Sequence, residues 1–204
     1  MGEIQMKQRN CNDDYEIARR SNEQQVRQRF LDELDLGDAT PYVGRVLYVP
    51  ETDSFIEEDG SVVHPDTTYM LTRPPSPSSP SFLKRILGMK GDSKCTIKVY
   101  HGAFDKCKSI DEFLSGLIDH EGYHAMEHVT LRTRKEYEEN ERKRRQNQTD
   151  IFGYLEPWEL SIQSEIRARE NQVRMVQEGK RNCLPEFIGT LEEEINQLSL
   201  QLAA

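Results

Sequence analysis

Apolar residues recur at three- and four-residue steps in four stretches of the chain and alternate with polar residues in four others, which predicts helices mixed with short strands. The first helical stretch, 13–36, carries Ile17, Phe30, Leu31 and Leu34 among many charges, with Asp13 as cap and Gly37 as stop; its weak apolar face predicts a helix lying loosely on the core. The second opens on Ser109-Ile110-Asp111-Glu112, a capping box: the Ser109 hydroxyl accepts from the amide of Glu112, and the Glu112 carboxylate reaches back to the amide of Ser109. Phe113, Leu114, Leu117, Ile118 and Glu121 follow on one face, while Gly116 and Gly122 each weaken the helix a little. The third starts at Glu156-Pro157-Trp158, stops at Gly179, and has Trp158, Ile162, Ile166, Val173 and Val176 as its stripe. The fourth, 185–202, repeats Phe187, Ile188, Leu191, Ile195, Leu198 and Leu202 behind Pro185.

The β-rich runs are 42–49, 61–64, 68–71 and 96–100, with turn signals at Asp59-Gly60 and Pro65-Asp66. The Pro/Ser segment 74–81 cannot hold regular hydrogen-bonded structure and reads as a loop, with a short helix at 82–87 beyond it. The strand at 96–100 runs into the second helix and is expected to leave a free edge on which an extended peptide can pair. The fold class that follows is α+β: a small, mainly antiparallel sheet packed on two central helices, with helical arms at both ends. The segments are an N-terminal helical arm at 1–37 and one domain at 38–204, which contains the 74–81 loop and the C-terminal helix 185–202.

Charge narrows the possible partners. With 36 acidic against 27 basic residues the net charge is −9, which argues against general binding to nucleic acid or to anionic membranes. Charges of both signs alternate at helical spacing through 132–145 and read as a solvated helix extension. Cys11, Cys95, Cys107 and Cys183 form no Cys-x-x-Cys pair and are expected to be free thiols. With no apolar leader and no stretch long enough to span a bilayer, the expected location is the cytoplasm.

His120-Glu121-Gly122-Tyr123-His124 satisfies the pattern HExxH. Residues four apart on a helix share a face, so both imidazoles can reach one metal ion with Glu121 beside it as a base. A catalytic zinc takes three protein ligands and keeps one position for water. His128 lies eight residues from His120, a rise of roughly 12 Å, too far for both to bind one ion. Glu127 also stands where the longer three-histidine pattern places a glycine. Glu165 and Glu159 on the next helix compete for the third position, bordering its apolar stripe on opposite sides.

His120-Glu121-Gly122-Tyr123-His124, followed by Glu165-Ile166-Arg167-Ala168 and preceded there by Tyr154-Leu155-Glu156-Pro157-Trp158, resembles the gluzincin metallopeptidases, in particular their small minigluzincin-like forms. The resemblance covers roughly a third of the chain, from Thr96 to the end of the second central helix. It implies a zincin-like domain that binds zinc through His120, His124 and Glu165, uses Glu121 as general base, and hydrolyses a peptide or protein substrate. If Glu159 were the ligand, the site would survive and the family assignment would be in doubt. Tyr154, His101, Tyr123 and His128 are candidates to stabilise the oxyanion. The terminal helix is expected to complete the core, to form a dimer contact, or to cover the cleft as a lid. The alternative reading is a zinc-binding interaction protein, non-catalytic or latent.

Overall fold

The computed structural model describes residues 2–56, 62–65, 69–74, 94–130, 135, 138–139, 142–143 and 157–203. The charged N-terminal stretch forms two helices, α1 (Gly2–Arg20) and α2 (Gln24–Glu33), where one was expected. At the break between them the Ser21 hydroxyl accepts from the Glu23 amide, a local bond that competes with helix continuation. The break turns the two apolar faces inward separately, so a stripe drawn along one helix misplaces them: Ile17 is exposed, whereas Tyr15, Ala18, Phe30 and Leu31 are buried. The rings of Tyr15, Phe30, Phe104 and Phe113 form one cluster, with centroids 5.0 Å apart for Phe104–Phe113 and 5.3 Å for Tyr15–Phe113. Each such pair contributes about 0.5–1.5 kcal/mol beyond its buried area. These helices therefore belong to the core and do not lie loosely on it. Arg27 is buried with them, donating to the Tyr48 hydroxyl at 2.6 Å and the Ala18 carbonyl at 3.2 Å, with its guanidinium over the Phe104 ring.

Five strands follow: β1 (Val43–Val49), β2 (Phe55–Ile56), β3 (Val62–Val63), β4 (Met70–Arg73) and β5 (Cys95–Tyr100). The short β2 was not anticipated; it pairs with β3 as an antiparallel hairpin. The main sheet has the order β1-β5-β4 and is mixed where a mainly antiparallel one was expected. β5 runs parallel to β1, with Val46 opposite Ile97 and Tyr48 opposite Val99, and antiparallel to β4, with Thr72 opposite Ile97. A parallel pair needs a long crossover, which the segment containing β2 to β4 supplies. The free edge expected at β5 is not there. With Cys95, Ile97, Val99 and Tyr100 all buried, β5 is the central strand, paired on both sides.

After β5 come α3 (His101–Lys106) and α4 (Ile110–Leu114), the latter continuing through a π-helical stretch, Ser115–Glu121, into α5 (Gly122–Val129). The Ser109 hydroxyl caps this run from the Glu112 amide at 3.2 Å. The Glu112 carboxylate accepts from Lys108, one residue earlier than a reciprocal capping box has it. Then come α6 (Pro157–Gln177) and α7 (Pro185–Ala203). Gly179, at φ +72°, closes α6 with its amide on the Val176 carbonyl and the Lys180 amide on the Met175 carbonyl.

The buried residues of α6 are Leu160, Ala168, Gln172 and Met175, not the stripe expected from Trp158, and Trp158 is 52% exposed. Part of that inner face is polar because Ser164 and Gln172 bond to the neighbouring helix, a pairing that hydropathy cannot register. Among the described residues no helix is long and apolar enough to cross a membrane. The 74–81 loop after Pro74, the 82–87 helix, most of 132–145, and Tyr154 lie outside the described residues.

Candidate metal centre

His120 and Glu121 end the π-helical stretch, and His124 follows one turn later on α5. Single π turns inside α-helices are frequent at functional sites because they re-aim side chains. Two contacts fix this part of the helix. The Thr72 hydroxyl on β4 donates to the Glu121 carbonyl at 2.8 Å, tying the helix to the sheet edge. At Gly122 an added Cβ would lie 2.8 Å from the Cβ of Ala39, so glycine is what lets the helix approach the 3₁₀ turn Gly37–Ala39.

Glu165, at mid-length on α6, faces both imidazoles. Its Oε2 lies 3.4 Å from His120 Nε2 and its Oε1 lies 3.3 Å from His124 Nε2. Among the described residues, His120, His124 and Glu165 are the group of ligand-type side chains able to hold a metal ion. Glu159 does not join them. The spacing fits a metal: an ion about 2.0–2.1 Å from each ligand in tetrahedral geometry sets neighbouring donor atoms about 3.3–3.4 Å apart. His124 Nε2 adds a second sign of fit, being buried and facing Glu165 with no aligned hydrogen bond. Nature rarely leaves such an atom unpaired without a use for it.

The surrounding hydrogen bonds fix the tautomers. Ser164 donates to Glu127 Oε2 at 2.6 Å, so its oxygen is left to accept from His124 Nδ1 at 3.2 Å. Gln172 donates to Ser115 at 3.2 Å and presents its carbonyl oxygen 3.1 Å from His120 Nδ1. His124 thus carries its proton on Nδ1; at His120 Nδ1 the Gln172 carbonyl at 3.1 Å is nearer than the donor Arg169 NH1 at 3.4 Å and favours the same tautomer, which in the neutral form turns each Nε2 lone pair towards Glu165, as metal ligands require. Glu127 is buried and held by Arg167 Nε at 2.8 Å.

Burial alone would depress the His124 pKa, but the facing Glu165 carboxylate outweighs it and the net shift is upward. For Glu165 burial acts upward, and the two imidazoles more than reverse it, holding the carboxyl well below its usual range. Two imidazoles and a carboxylate that stays ionised form a donor set suited to a divalent cation.

The group lies in a cleft of about 940 Å³. Glu121, buried at 7% exposure, lines it beside the ligand set, as do residues 69–72 on and before β4, and α7 closes another side with Phe187, Thr190, Leu191 and Glu194. Of the oxyanion candidates, His128 lines the cleft, whereas Tyr123 and His101 do not. His101 is engaged elsewhere, its Nδ1 2.7 Å from Arg27 and its Nε2 3.0 Å from Asp105. All four cysteines are free, and burial pushes the thiols of Cys107 and Cys183 up to about 12.

Ser164, Gln172, Glu127 and Arg167 were not singled out from the sequence. One signal was available: Ser164 and Gln172 flank Ala168 four residues away on each side, which puts two polar residues on the face that Ala168 buries. Compared with known protein families, curated proteins and solved structures, the chain matches none.

Proposed function

We propose that the chain is a zinc-dependent metallopeptidase of the gluzincin type, with a zincin-like domain and a cytoplasmic location. The observation that carries this reading is the convergence of Glu165 on His120 and His124, with the His124 Nε2 atom buried and facing the carboxylate without an aligned hydrogen bond. When bound, zinc would supply a water of lowered pKa and would polarise the scissile carbonyl. Glu121, a carboxylate placed beside the ligand pair, would take up a proton from that water and deliver it to the leaving amine. His120, His124 and Glu165 would hold the cation, and Ser164, Gln172 and Glu127 favour the imidazole tautomer that a ligand needs. Residues 69–72, on and before β4, line the same cleft, where strand backbone can meet an extended substrate. The four free thiols fit a reducing compartment.

The test is Glu121→Gln assayed on a library of quenched fluorescent peptides. The variant is expected to keep its zinc and lose hydrolysis; turnover that survives the substitution would remove Glu121 from the mechanism. A second reading, a latent or non-catalytic zinc protein, is favoured by the α7 helix lying along the cleft with Leu191 buried. Full zinc occupancy without hydrolysis by the wild type would select it.

A further inference from the structure

Arg169 stands between carboxylates from two helices. Its NH1 lies 3.9 Å from Glu165 Oε2 and 3.4 Å from His120 Nδ1, and its Nε lies 3.0 Å from Glu194 Oε2 on α7. The contact with Glu194 is a poor one. Arg169 Nε is buried and makes no aligned hydrogen bond, although a guanidinium binds a carboxylate best through two parallel N–H groups. Side-chain exposures of 24% for Arg169 and 41% for Glu194 leave the pair reachable by water, and such pairs are held weakly. The remainder of the cleft is unwelcoming to anions: Glu112, Glu121 and Glu165 line it, and among its described lining residues only Lys106 and Arg169 carry a fixed positive charge.

We propose that Arg169 recognises a carboxylate of the substrate, and that Glu194 occupies it in the present state as an internal stand-in, so that α7 partly blocks the site. A single guanidinium bridges Glu194 and the ligand Glu165, so the two carboxylates are fewer than about three extended residues apart, at roughly 3.4 Å per residue. The substrate class is therefore a peptide carrying a carboxylate within one to three residues of the bond to be cut. Either a free C-terminus or an aspartate or glutamate side chain supplies that chemistry. The role given to the substrate rests on the peptidase reading; the binding of a carboxylate at Arg169 does not.

The experiment uses the full chain, zinc-free and zinc-loaded, as wild type, Glu194→Gln and Arg169→Lys. Three probes are titrated calorimetrically: N-acetyl-trialanine with a free C-terminus, the same peptide as its C-terminal amide, and amidated N-acetyl-Ala-Ala-Asp. Glu194→Gln is expected to bind a carboxylate-bearing probe about tenfold tighter than wild type does, with no change for the neutral amide, and the two acidic probes tell which carboxylate is read. Arg169→Lys keeps the charge but loses the fork, and is expected to lose most of that preference. Equal binding of all three probes by Glu194→Gln, or an undiminished preference in Arg169→Lys, would overturn the proposal. A carboxylate preference in a chain that takes up no zinc would leave this inference standing while the peptidase reading failed. Zinc-dependent cleavage indifferent to carboxylates would do the reverse.

Discussion

Replacing Gly122 by alanine adds one methyl group to the metal helix, and two effects of opposite sign meet there. Alanine is the better helix former by about 0.8–1.0 kcal/mol. Against this, the new Cβ would sit 2.8 Å from the Cβ of Ala39, where carbon atoms at rest stay about 3.5–4.0 Å apart. Ala39 is buried and its Cβ is carried directly on the backbone, so relief requires moving the 3₁₀ turn or the helix itself. Overpacking typically costs about 1–3 kcal/mol, and with neither Cβ able to swing away the upper part of that range, about 2–3, applies, so the net expectation is a loss of roughly 1–2 kcal/mol. In a chain of this size that lowers the melting temperature by about 2–8 °C, measurable by circular dichroism. Trimming the opposing methyl, in Gly122→Ala combined with Ala39→Gly, is expected to recover stability beyond what the two single changes sum to. A Gly122→Ala protein as stable as wild type, or more so, would refute the claim that glycine sits there for close approach.

Three further outcomes are expected. Ser164→Ala removes the hydroxyl between His124 and Glu127 and should weaken zinc affinity about 10–100-fold in a chelator competition, with the fold unchanged by circular dichroism. Phe30→Ala empties the centre of the aromatic cluster and should cost about 3–5 kcal/mol in urea unfolding, whereas removing a loosely docked arm would cost far less. Asp119, fully buried, has its pKa raised by burial to about 6, even with Arg181 bonded to both its oxygens at 3.0 Å. A carboxyl raised in the folded state contributes most below its unfolded value near 3.8 and loses that contribution as pH rises through about 6. The stability of wild type relative to Asp119→Asn should therefore fall from pH 4 to pH 7, by an amount on the order of 2–3 kcal/mol; a relative stability that stays flat or rises would contradict it.

Two helix ends were legible in local chemistry, whereas the Asp13 cap and Gly37 stop were not: α1 runs from Gly2 through Asp13, and α2 ends at Glu33. Ser109 caps where expected and Gly179 stops α6 where expected. Which faces those helices bury was harder to read. Along α6 the inner face is partly polar, with Gln172 and Ser164 spent on the imidazoles, and their partners lie far away in sequence. Strand pairing was also beyond reach: 96–100 is an alternating run in any sheet, and only the closing of β1 and β4 on its two sides makes it central. The pair His120 and His124 follows from helical repeat alone. Choosing Glu165 over Glu159 needs the rotation of α6 against α5, which depends on the buried Ala168 and on the bonds of Ser164 and Gln172 to the imidazoles. Spacing along the chain carries neither.

Zinc binding measured on purified wild type and on Glu165→Ala tests the account most directly, using calorimetric titration of the stripped proteins with metal content determined by plasma mass spectrometry. The account predicts one equivalent bound by wild type and an affinity at least about 100-fold lower in Glu165→Ala, with Glu159→Ala unaffected. A wild type that binds no zinc, or a Glu165→Ala variant that binds it as tightly as before, would contradict the claim that these two imidazoles and this carboxylate hold one ion.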